Sequence, residues 1–266
     1  MGESRLHGRS IVIVGGTTGL GLSGARACAE AGARLVLVGR NPESAAAAEE
    51  ELKDVAVTVV GDAVDKATTI LAIERCLSAF GSFDGLYHVA GGSGRRAGDG
   101  PLHEITEAGW DATMDLNLKS LFLSNRAAVR QFLEQGTGGA ILNMSSVLGA
   151  HPSPKYFSTH AYAAAKSGVF GFTRSIAAYY ASQRIRCNVI CAGLVETPMS
   201  QRAMGDEEIL RFIQTKQPLD GGRAGIPGDL DEAVVFFLSD ASRFVTGQIL
   251  EVDGGWSVTE GQADGR

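Results

Sequence analysis

The chain has 266 residues, of which 44% are hydrophobic and 20% are charged, and its formal net charge at pH 7 is −6. This composition is typical of a globular protein with a full core, and the negative charge argues against nucleic acid as a partner. The sequence has no apolar run of membrane-spanning length, no secretory pattern at its start and no metal-ligand spacing among its four cysteines. We therefore expect a cytoplasmic protein with reduced thiols, no membrane partner and no metal site.

Short β-branched runs alternate with longer helical stretches along the whole chain. The runs predict strands at 10–16, 34–40, 55–62, 83–92, 139–146, 184–193 and 248–255. The stretches between them predict helices at 21–33, 42–52, 66–81, 110–136, 162–180 and 229–240. An irregular segment is expected after the sixth strand, to about residue 228. This order predicts an α/β fold in one domain, with a doubly wound parallel sheet of about seven strands and helices on both faces.

The sequence VGGTTGLG at 14–21 follows the first predicted strand and opens the first helix. That context is the one a dinucleotide-binding turn requires. Gly15 permits the sharp turn, Gly19 lets the backbone approach a pyrophosphate, and Gly21 allows the helix to pack closely on the strand. The helix N-terminus supplies unpaired N–H donors for the anion. The candidate cofactor-binding residues of this turn are Gly15, Thr17, Thr18, Gly19, Leu20 and Gly21.

The second predicted strand ends with Gly39 and Arg40. An NAD site usually has Asp or Glu at this end, where the carboxylate binds the ribose hydroxyls. Arg40 can instead bind a 2′-phosphate through a forked, charge-assisted pair, so the sequence favours NADP(H) over NAD(H). The alternatives are a solvated arginine and one that stacks on adenine without selecting the phosphate.

Further motifs follow in a fixed order along the chain. They are Asp62 after the third strand, Ala90-Gly91 after the fourth, DLN ending at Asn117, NMSS ending at Ser146, YAAAK at 162–166, AGLVETPM at 192–199 and FVTGQILEVDGG at 244–255. Together with the glycine turn, they resemble the short-chain dehydrogenase/reductase family over nearly the whole chain. The resemblance implies a Rossmann-type NAD(P)-binding domain over 1–266. We expect a substrate lid at about 198–225, because long loops in compact domains are often functional.

Tyr162 and Lys166 are four residues apart and therefore share one face of a helix. Hydride addition to a ketone leaves an alkoxide that must gain a proton, and oxidation requires the reverse. The ordinary pKa of tyrosine is about 10, and the positive charge of Lys166 favours the tyrosinate. Ser146 can donate a hydrogen bond to the carbonyl oxygen as charge develops there. An isolated pair would be an ordinary exposed helix face, but Ser146 and the glycine turn favour acid/base catalysis.

The resemblance adds roles that the residues alone do not give. It implies that Lys166 also binds the nicotinamide ribose, that Asn117 holds a proton-relay water, and that Val195 and Thr197 hold the carboxamide. The catalytic set is then Asn117, Ser146, Tyr162 and Lys166. The remaining predicted cofactor contacts are Asp62, Ala63, Val89, Ala90, Gly91, Tyr162 and Lys166.

Three features depart from the family pattern. His88 and Val89 stand where the family usually has Asn, and we expect His88 to be a packed core residue, with proton relay as the alternative. The segment 147–160 is longer than usual and is either a structural loop or a wall of the substrate site. In the loop 91–100, Arg95 and Arg96 could meet an acidic substrate or be solvated.

The sequence thus predicts an NADP(H)-dependent oxidoreductase that interconverts a ketone and a secondary alcohol. A 3-oxoacyl thioester reductase, a sugar or polyol dehydrogenase and a polyketide or steroid-like ketoreductase all stay open. The alternative from another class is a catalytically silent, nucleotide-sensing binding protein. The apolar edge strand at 244–255 and the apolar helix faces at 110–133 and 162–180 invite pairing. The resemblance implies that they pair across two two-fold axes, so we expect a homotetramer, with a dimer as the fallback.

Overall fold

The computed structural model describes residues 4–261, so the two ends of the predicted 1–266 domain lie outside the described residues. The described chain forms one seven-stranded parallel sheet with the strand order β3-β2-β1-β4-β5-β6-β7. The strands are β1 (Ser10–Val14), β2 (Arg34–Gly39), β3 (Ala56–Val60), β4 (Gly85–His88), β5 (Gly139–Ser146), β6 (Ile185–Ala192) and β7 (Ile249–Val252). The predicted fold class is therefore confirmed.

Helices connect the strands and cover the sheet. They are α1 (Gly19–Glu30), α2 (Pro42–Glu51), α3 (Lys66–Phe80), α4 (Glu107–Met114), α5 (Ser120–Gln135), α6 (His160–Tyr180), α7 (Gln201–Met204), α8 (Glu207–Lys216) and α9 (Asp231–Leu238). Two sequence predictions were wrong in detail. The helix predicted at 110–136 is interrupted by a π-helical turn at Asp115–Lys119, and the segment expected to be irregular contains α7 and α8.

The sheet has a hydrophobic core on each face, because successive side chains of a strand point to opposite sides. Ile11 and Ile13 of β1 pack into the core that includes residues of α1 and α9. Val12 and Val14 of the same strand pack into the core that includes residues of α3 and α5. All five residues of β1 are buried, which explains why the sequence is continuously apolar from Ile11 to Val14.

The strand order reverses at β1, which pairs with β2 on one side and β4 on the other. In an open parallel sheet, a crevice forms at the carboxyl ends of the strands where this reversal occurs. The chain after β4 stays next to β1, since the N–H groups of Val89 and Ala90 both donate to the carbonyl oxygen of Val14 at 2.9 Å. The topology thus brings the glycine turn and the Ala90-Gly91 segment to the same edge of the sheet.

Other expectations concern cysteines, metals and membranes. The four cysteines are buried and free, and burial raises the pKa of Cys28, Cys76, Cys187 and Cys191 to about 12. Within the described part of the chain, no group of three His, Cys, Asp or Glu residues could hold a metal ion. No helix in residues 4–261 is both long and apolar enough to cross a membrane.

Candidate active site

A cavity of about 260 Å³ opens at the crevice beside β1, and we call it the glycine-turn cavity. Its wall is made by the turn after β1, the ends of β2 and β3, the segment after β4 and residues 197–199. The predicted cofactor-binding residues that line it are Gly15, Thr17, Thr18, Gly19, Leu20, Gly21, Arg40, Asp62, Ala63, Val89, Ala90, Gly91 and Thr197. The fold thus brings residues from distant parts of the sequence to one concave surface.

The glycine turn has the shape that a phosphate group needs. Gly15 has a φ of +89°, and a Cβ there would lie 2.7 Å from the backbone nitrogen of Ala90, so no other residue fits without displacing the chain. Thr18, the residue before α1, makes no side-chain cap hydrogen bond. The first N–H groups of α1 therefore have no side-chain acceptor from Thr18, and a phosphate oxygen suits them. The residues of this turn suit the phosphate groups of a dinucleotide.

Arg40 and Asp62 lie side by side in the wall of the glycine-turn cavity. Arg40 Nη1 is 3.7 Å from Asp62 Oδ2, and the two side chains are 66% and 42% exposed. An ion pair this exposed contributes about 1 kcal/mol at most, so Asp62 does not commit Arg40 to one position. The guanidinium is available to a ligand in the cavity.

A second cavity of about 330 Å³ adjoins the first, and we call it the tyrosine cavity. Ser146 from the end of β5 lines it together with Tyr162 and Lys166 from the first turns of α6. Val195 lines it as well. The two cavities share Leu20, Val89, Gly91, Thr197, Pro198 and Met199, so they form one continuous space.

Burial controls the protonation of the two central groups. Burial raises the pKa of Tyr162 to about 12, while the hydroxyl of Ser146 acts in the opposite direction. Burial lowers the pKa of Lys166 to about 8, and its Nζ donates to the carbonyl oxygen of Met144 at 3.1 Å. Lys166 Nζ lies 5.6 Å from the centre of the Tyr162 ring. The raised pKa of Tyr162 is opposite to the lowering that the sequence predicted from Lys166, because desolvation by burial is the largest cause of the shift.

Asn117 lies in the π-helical turn, and its side chain forms hydrogen bonds with backbone groups. Its Nδ2 donates to the carbonyl oxygens of Gly92 and Thr113, both at 2.9 Å, and its Oδ1 accepts from the N–H of Gly92 at 3.0 Å. A Cβ at Gly91 would lie 2.8 Å from Asn117 Oδ1 and 3.3 Å from Lys166 Nζ. Asn117 therefore fixes the start of the loop 91–100 against the base of the site, and its role in proton relay stays a prediction.

Asp99 is a structural residue of the site that the sequence analysis missed. Its buried carboxylate accepts from the N–H groups of Ala161 and Tyr162 at 3.0 and 2.9 Å. The residue that precedes α6, Thr159, makes no side-chain cap of its own. Asp99 thus caps the helix that carries Tyr162 and Lys166, although it lies 61 residues before His160, the first residue of that helix. No local pattern could have indicated this pairing.

His88 is the packed core residue that the sequence favoured. Its Nδ1 lies 2.8 Å from the hydroxyl of Ser124, and its Nε2 lies 3.4 Å from that of Ser120. Burial, and secondarily the charge of Lys166, lowers the pKa of His88 to about 3. The ring is neutral at physiological pH, which argues against proton relay.

The segment 147–160 forms part of the wall of the tyrosine cavity. Val147, Leu148, Phe157 and Thr159 line the cavity. Opposite segments come from the loop 91–100 and from 198–203 at the start of the predicted lid. The rings of Phe157 and Trp256 pack edge to face at 5.7 Å and close one end of this wall.

Comparison with known proteins decides the family. The family model described as enoyl-(acyl carrier protein) reductase matches residues 14–257. The cis-4-hydroxycyclohexanecarboxylate dehydrogenase of Sinomonas cyclohexanicum is 35% identical over 259 residues, covering 97% of this chain and 99% of that protein. The chain belongs to the short-chain dehydrogenase/reductase family. It is accordingly an NAD(P)-dependent oxidoreductase that acts on CH–OH or C=O groups.

Two further members of the family agree with this. The 2-keto-3-deoxy-L-fuconate dehydrogenase of Xanthomonas campestris is 34% identical over 261 residues, covering 96% of this chain and 82% of that protein. The crystal structure of levodione reductase matches with a TM-score of 0.85 at 30% identity, covering 95% of this chain and 99% of that chain. The similarity therefore extends over the sheet, both cavities and the segment around α7 and α8.

The low pKa of His88 predicts an acid sensitivity of this dehydrogenase. A histidine held neutral in the fold contributes stability above its ordinary pKa of about 6.5, and that stability is lost as pH falls towards its folded value of about 3. Lowering the pH from 7 to 5 should therefore cost about 2 kcal/mol of unfolding free energy through this group. His88→Asn should remove that part of the loss.

Urea unfolding at pH 7 and pH 5, at one protein concentration, measures the difference. His103→Asn is the matched control, because His103 is exposed. An equal pH dependence in His88→Asn and the unaltered protein would show that His88 is not held neutral.

Proposed function

We propose that this dehydrogenase interconverts a ketone and a secondary alcohol with NADP(H), and that Tyr162 is the proton donor and acceptor. The observation that carries the proposal is the placement of Ser146, Tyr162 and Lys166 in a cavity continuous with the glycine-turn cavity. His88, the feature that motivated the silent-binding alternative, is a packed residue and leaves these three side chains in place.

A bound nicotinamide cofactor would supply the hydride in reduction and accept it in oxidation. The Tyr162 hydroxyl, which is protonated at neutral pH, gives its proton to the substrate oxygen during reduction. Ser146 donates a hydrogen bond to the same oxygen and stabilises the charge that develops there. Lys166, whose pKa is about 8, carries positive charge at neutral pH. That charge favours the tyrosinate form of Tyr162, which is the product of proton donation in reduction and the proton acceptor in oxidation.

The remaining predicted residues divide between binding and positioning. The turn from Gly15 to Gly21 would hold the pyrophosphate, Arg40 the 2′-phosphate, and Val195 with Thr197 the nicotinamide end. Asn117 would position Gly91 and Gly92 against that end, and relay protons to Lys166 through a water. The assignments of the glycine turn, Arg40, Val195 and Thr197 rest on the cavities that these residues line. Asn117 lines neither cavity, and its assignment rests on its hydrogen bonds to Gly92.

We also propose that residues 198–225 act as a substrate lid. The two ends of this segment are fixed, because Val195 pairs with Gly225 and the N–H of Gly225 donates to the carbonyl oxygen of Leu194 at 2.9 Å. Its first residues line the tyrosine cavity, and it carries the short helices α7 and α8. A segment held at both ends can move over the cavity without disturbing the sheet.

The names of the compared relatives leave the substrate open. Two of the proteins are named for a carboxylate-bearing substrate and one for levodione. The family model carries the name of an acyl carrier protein reductase. The proposal therefore stops at a ketone and a secondary alcohol.

Tyr162→Phe should lower kcat by about 10²–10⁴-fold in both directions, because the proton donor is lost. The affinity for NADPH should change little, and a fluorescence titration measures it alongside the turnover. Tyr179→Phe is the matched control, since Tyr179 lies on the same helix and is 74% exposed. More than about a tenth of normal activity in Tyr162→Phe would contradict the acid/base role.

The position of Arg40 predicts a preference for NADP(H) over NAD(H). Arg40→Asp should reverse the ratio of the two kcat/KM values. The kcat/KM for NADPH should fall about 10–100-fold, because the charge-assisted hydrogen bonds to the 2′-phosphate are lost. Arg75→Asp makes the same charge change at an exposed arginine of α3 outside both cavities and should leave the ratio unaltered. Equal efficiency with both cofactors in the unaltered enzyme would disprove the assignment.

We propose further that the enzyme is a cytoplasmic homotetramer. Large apolar side chains are exposed on the two faces expected to pair. They are Phe122 and Leu133 on α5 with Tyr179 on α6, and Leu250 on the edge strand β7 with Phe244 in the turn before it. Phe244 is 100% exposed. An unpaired apolar edge and an apolar helix face each gain from burial against a second copy, and two such faces on perpendicular axes give D₂ symmetry.

Light scattering during size-exclusion chromatography should give a tetramer for the unaltered enzyme. Leu250→Glu should yield dimers, because a charge at the edge strand opposes pairing there and leaves the helix faces intact. Leu71→Glu, at an exposed leucine of α3, is the matched control and should remain tetrameric. A stable, active monomer at micromolar concentration would overturn the proposal.

A further inference from the structure

The tyrosine cavity is strongly cationic in an acidic protein. Its described lining contains Arg95, Arg96, Arg202 and Lys166 and no aspartate or glutamate. The chain as a whole carries a formal net charge of −6. A concave surface lined by one sign of charge concentrates ligands of the opposite sign. The positive charge of this cavity is therefore local to the site and does not follow from the net charge of the chain, which is negative.

Two of these arginines converge on one neutral atom. Arg95 Nη2 lies 3.4 Å and Arg202 Nη2 lies 3.1 Å from the carbonyl oxygen of Tyr156. Each guanidinium has five N–H donors, and among the described residues neither arginine forms an ion pair with a carboxylate. Most of the donors of this pair are thus free to meet a ligand.

The arrangement places like charges together at a partly desolvated position. Arg95 is half-buried, and burial, followed by the charge of Arg202, lowers its pKa. The charge of Asp99 acts in the opposite direction but is outweighed, and the carbonyl of Tyr156 offsets little of the repulsion because it carries no charge. An anion between the two guanidinium groups would accept hydrogen bonds from both and would remove the repulsion.

The pair is held in place by the three segments that surround the tyrosine cavity. Arg95 begins a short 3₁₀ turn, Arg95–Ala97, in the loop 91–100. Arg202 belongs to α7 in the proposed lid, and its Cζ lies 5.8 Å from the centre of the Phe157 ring. The shared carbonyl comes from the segment 147–160. Neither arginine lines the glycine-turn cavity, so the cofactor phosphates are not the anion that the pair fits.

We propose that the substrate of this enzyme carries an anionic group, a carboxylate or a sulfonate, that Arg95 and Arg202 bind in the tyrosine cavity. The inference rests on the proposed function, because it places the reacting carbonyl of the same molecule at Ser146 and Tyr162. A guanidinium fork matches a planar carboxylate through two parallel hydrogen bonds. Anchoring one end of the substrate orients the other, which is how remote binding contributes to turnover.

Matched pairs of keto acids and their methyl esters test the inference. The test compares kcat/KM for a keto acid with kcat/KM for its methyl ester, using 4-oxopentanoate and 4-oxocyclohexanecarboxylate as the acids. The ratio of acid to ester should exceed about ten for each, because the ester loses the charged hydrogen bonds. Arg95→Gln and Arg202→Gln should each lower the ratio about tenfold. Arg75→Gln, at an exposed arginine outside the cavity, should leave it unchanged. Equal use of acid and ester would overturn the inference while the proposed function stands.

Binding provides a readout that does not need turnover. Calorimetry on the enzyme with saturating NADP⁺ should show cyclohexanecarboxylate, cyclohexanesulfonate or both binding about tenfold more tightly than cyclohexanecarboxamide, with the difference lost in Arg95→Gln and Arg202→Gln. The two anions distinguish a carboxylate site from a sulfonate site. Arginine-dependent binding without reduction of any ketone would support the anion site and refute the proposed function. No preference for either anion over the amide would refute the anion site.

Discussion

The buried carboxylate of Asp99 holds the N-terminus of the helix on which the catalytic pair lies. It accepts two backbone N–H groups of α6, at 3.0 and 2.9 Å, where a helix leaves its first donors unpaired. The negative charge also suits the positive end of the helix dipole. The ring of His160 adds a second tie, since its Nδ1 donates to the carbonyl oxygen of Gly100 at 2.9 Å. The loop 91–100 and the helix of Tyr162 are therefore positioned as one unit.

The same helix is tied to the sheet through backbone acceptors. The hydroxyl of Ser145 donates to the carbonyl oxygen of Lys166 at 2.8 Å, and the ammonium of Lys166 donates to the carbonyl oxygen of Met144 at 3.1 Å. These two bonds cross between β5 and α6 next to Ser146. They hold Ser146 close to Tyr162 and Lys166 in space, although sixteen positions separate the serine from the tyrosine along the chain. The segment 147–160 between them contributes to the cavity wall, while these bonds tie the helix to the strand.

The parts of the molecule that were predictable from the sequence are those whose signal is local. The strands were found because a sheet covered on both faces needs continuous apolar runs, and the glycine turn because its residues are adjacent. The π-helical turn was missed because its cause is a side chain: Asn117 Nδ2 donates to the carbonyl oxygen of Thr113, four residues earlier, and competes with the helical ladder. Helix α8 did have a signal, with Asp206 as its cap and Ile209 and Ile213 on one face.

The rest could not be predicted, because it depends on contacts between distant segments. Asp99 and Tyr156 lie in loops and Arg202 lies in the short helix α7. The sequence suggested that Arg95 could meet an acidic substrate, but only the fold shows that the carbonyl of Tyr156 accepts from both Arg95 and Arg202. The protonation of Tyr162 is of the same kind. The spacing to Lys166 predicts a lowered pKa, whereas the depth of the cavity, which no spacing encodes, raises it to about 12.

These two unforeseen features are linked by electrostatics. A tyrosine that is hard to ionise is a stable proton donor, so it suits reduction, while oxidation requires nearby positive charge to favour the tyrosinate. Lys166, whose Nζ lies 5.6 Å from the centre of the Tyr162 ring, is the nearby source of that charge. An anionic substrate would neutralise the arginines but not Lys166, which is bonded to Met144 on the sheet. The arginines would then select the substrate, while burial and Lys166 govern the acidity of Tyr162, so that recognition and proton transfer depend on different groups of one cavity.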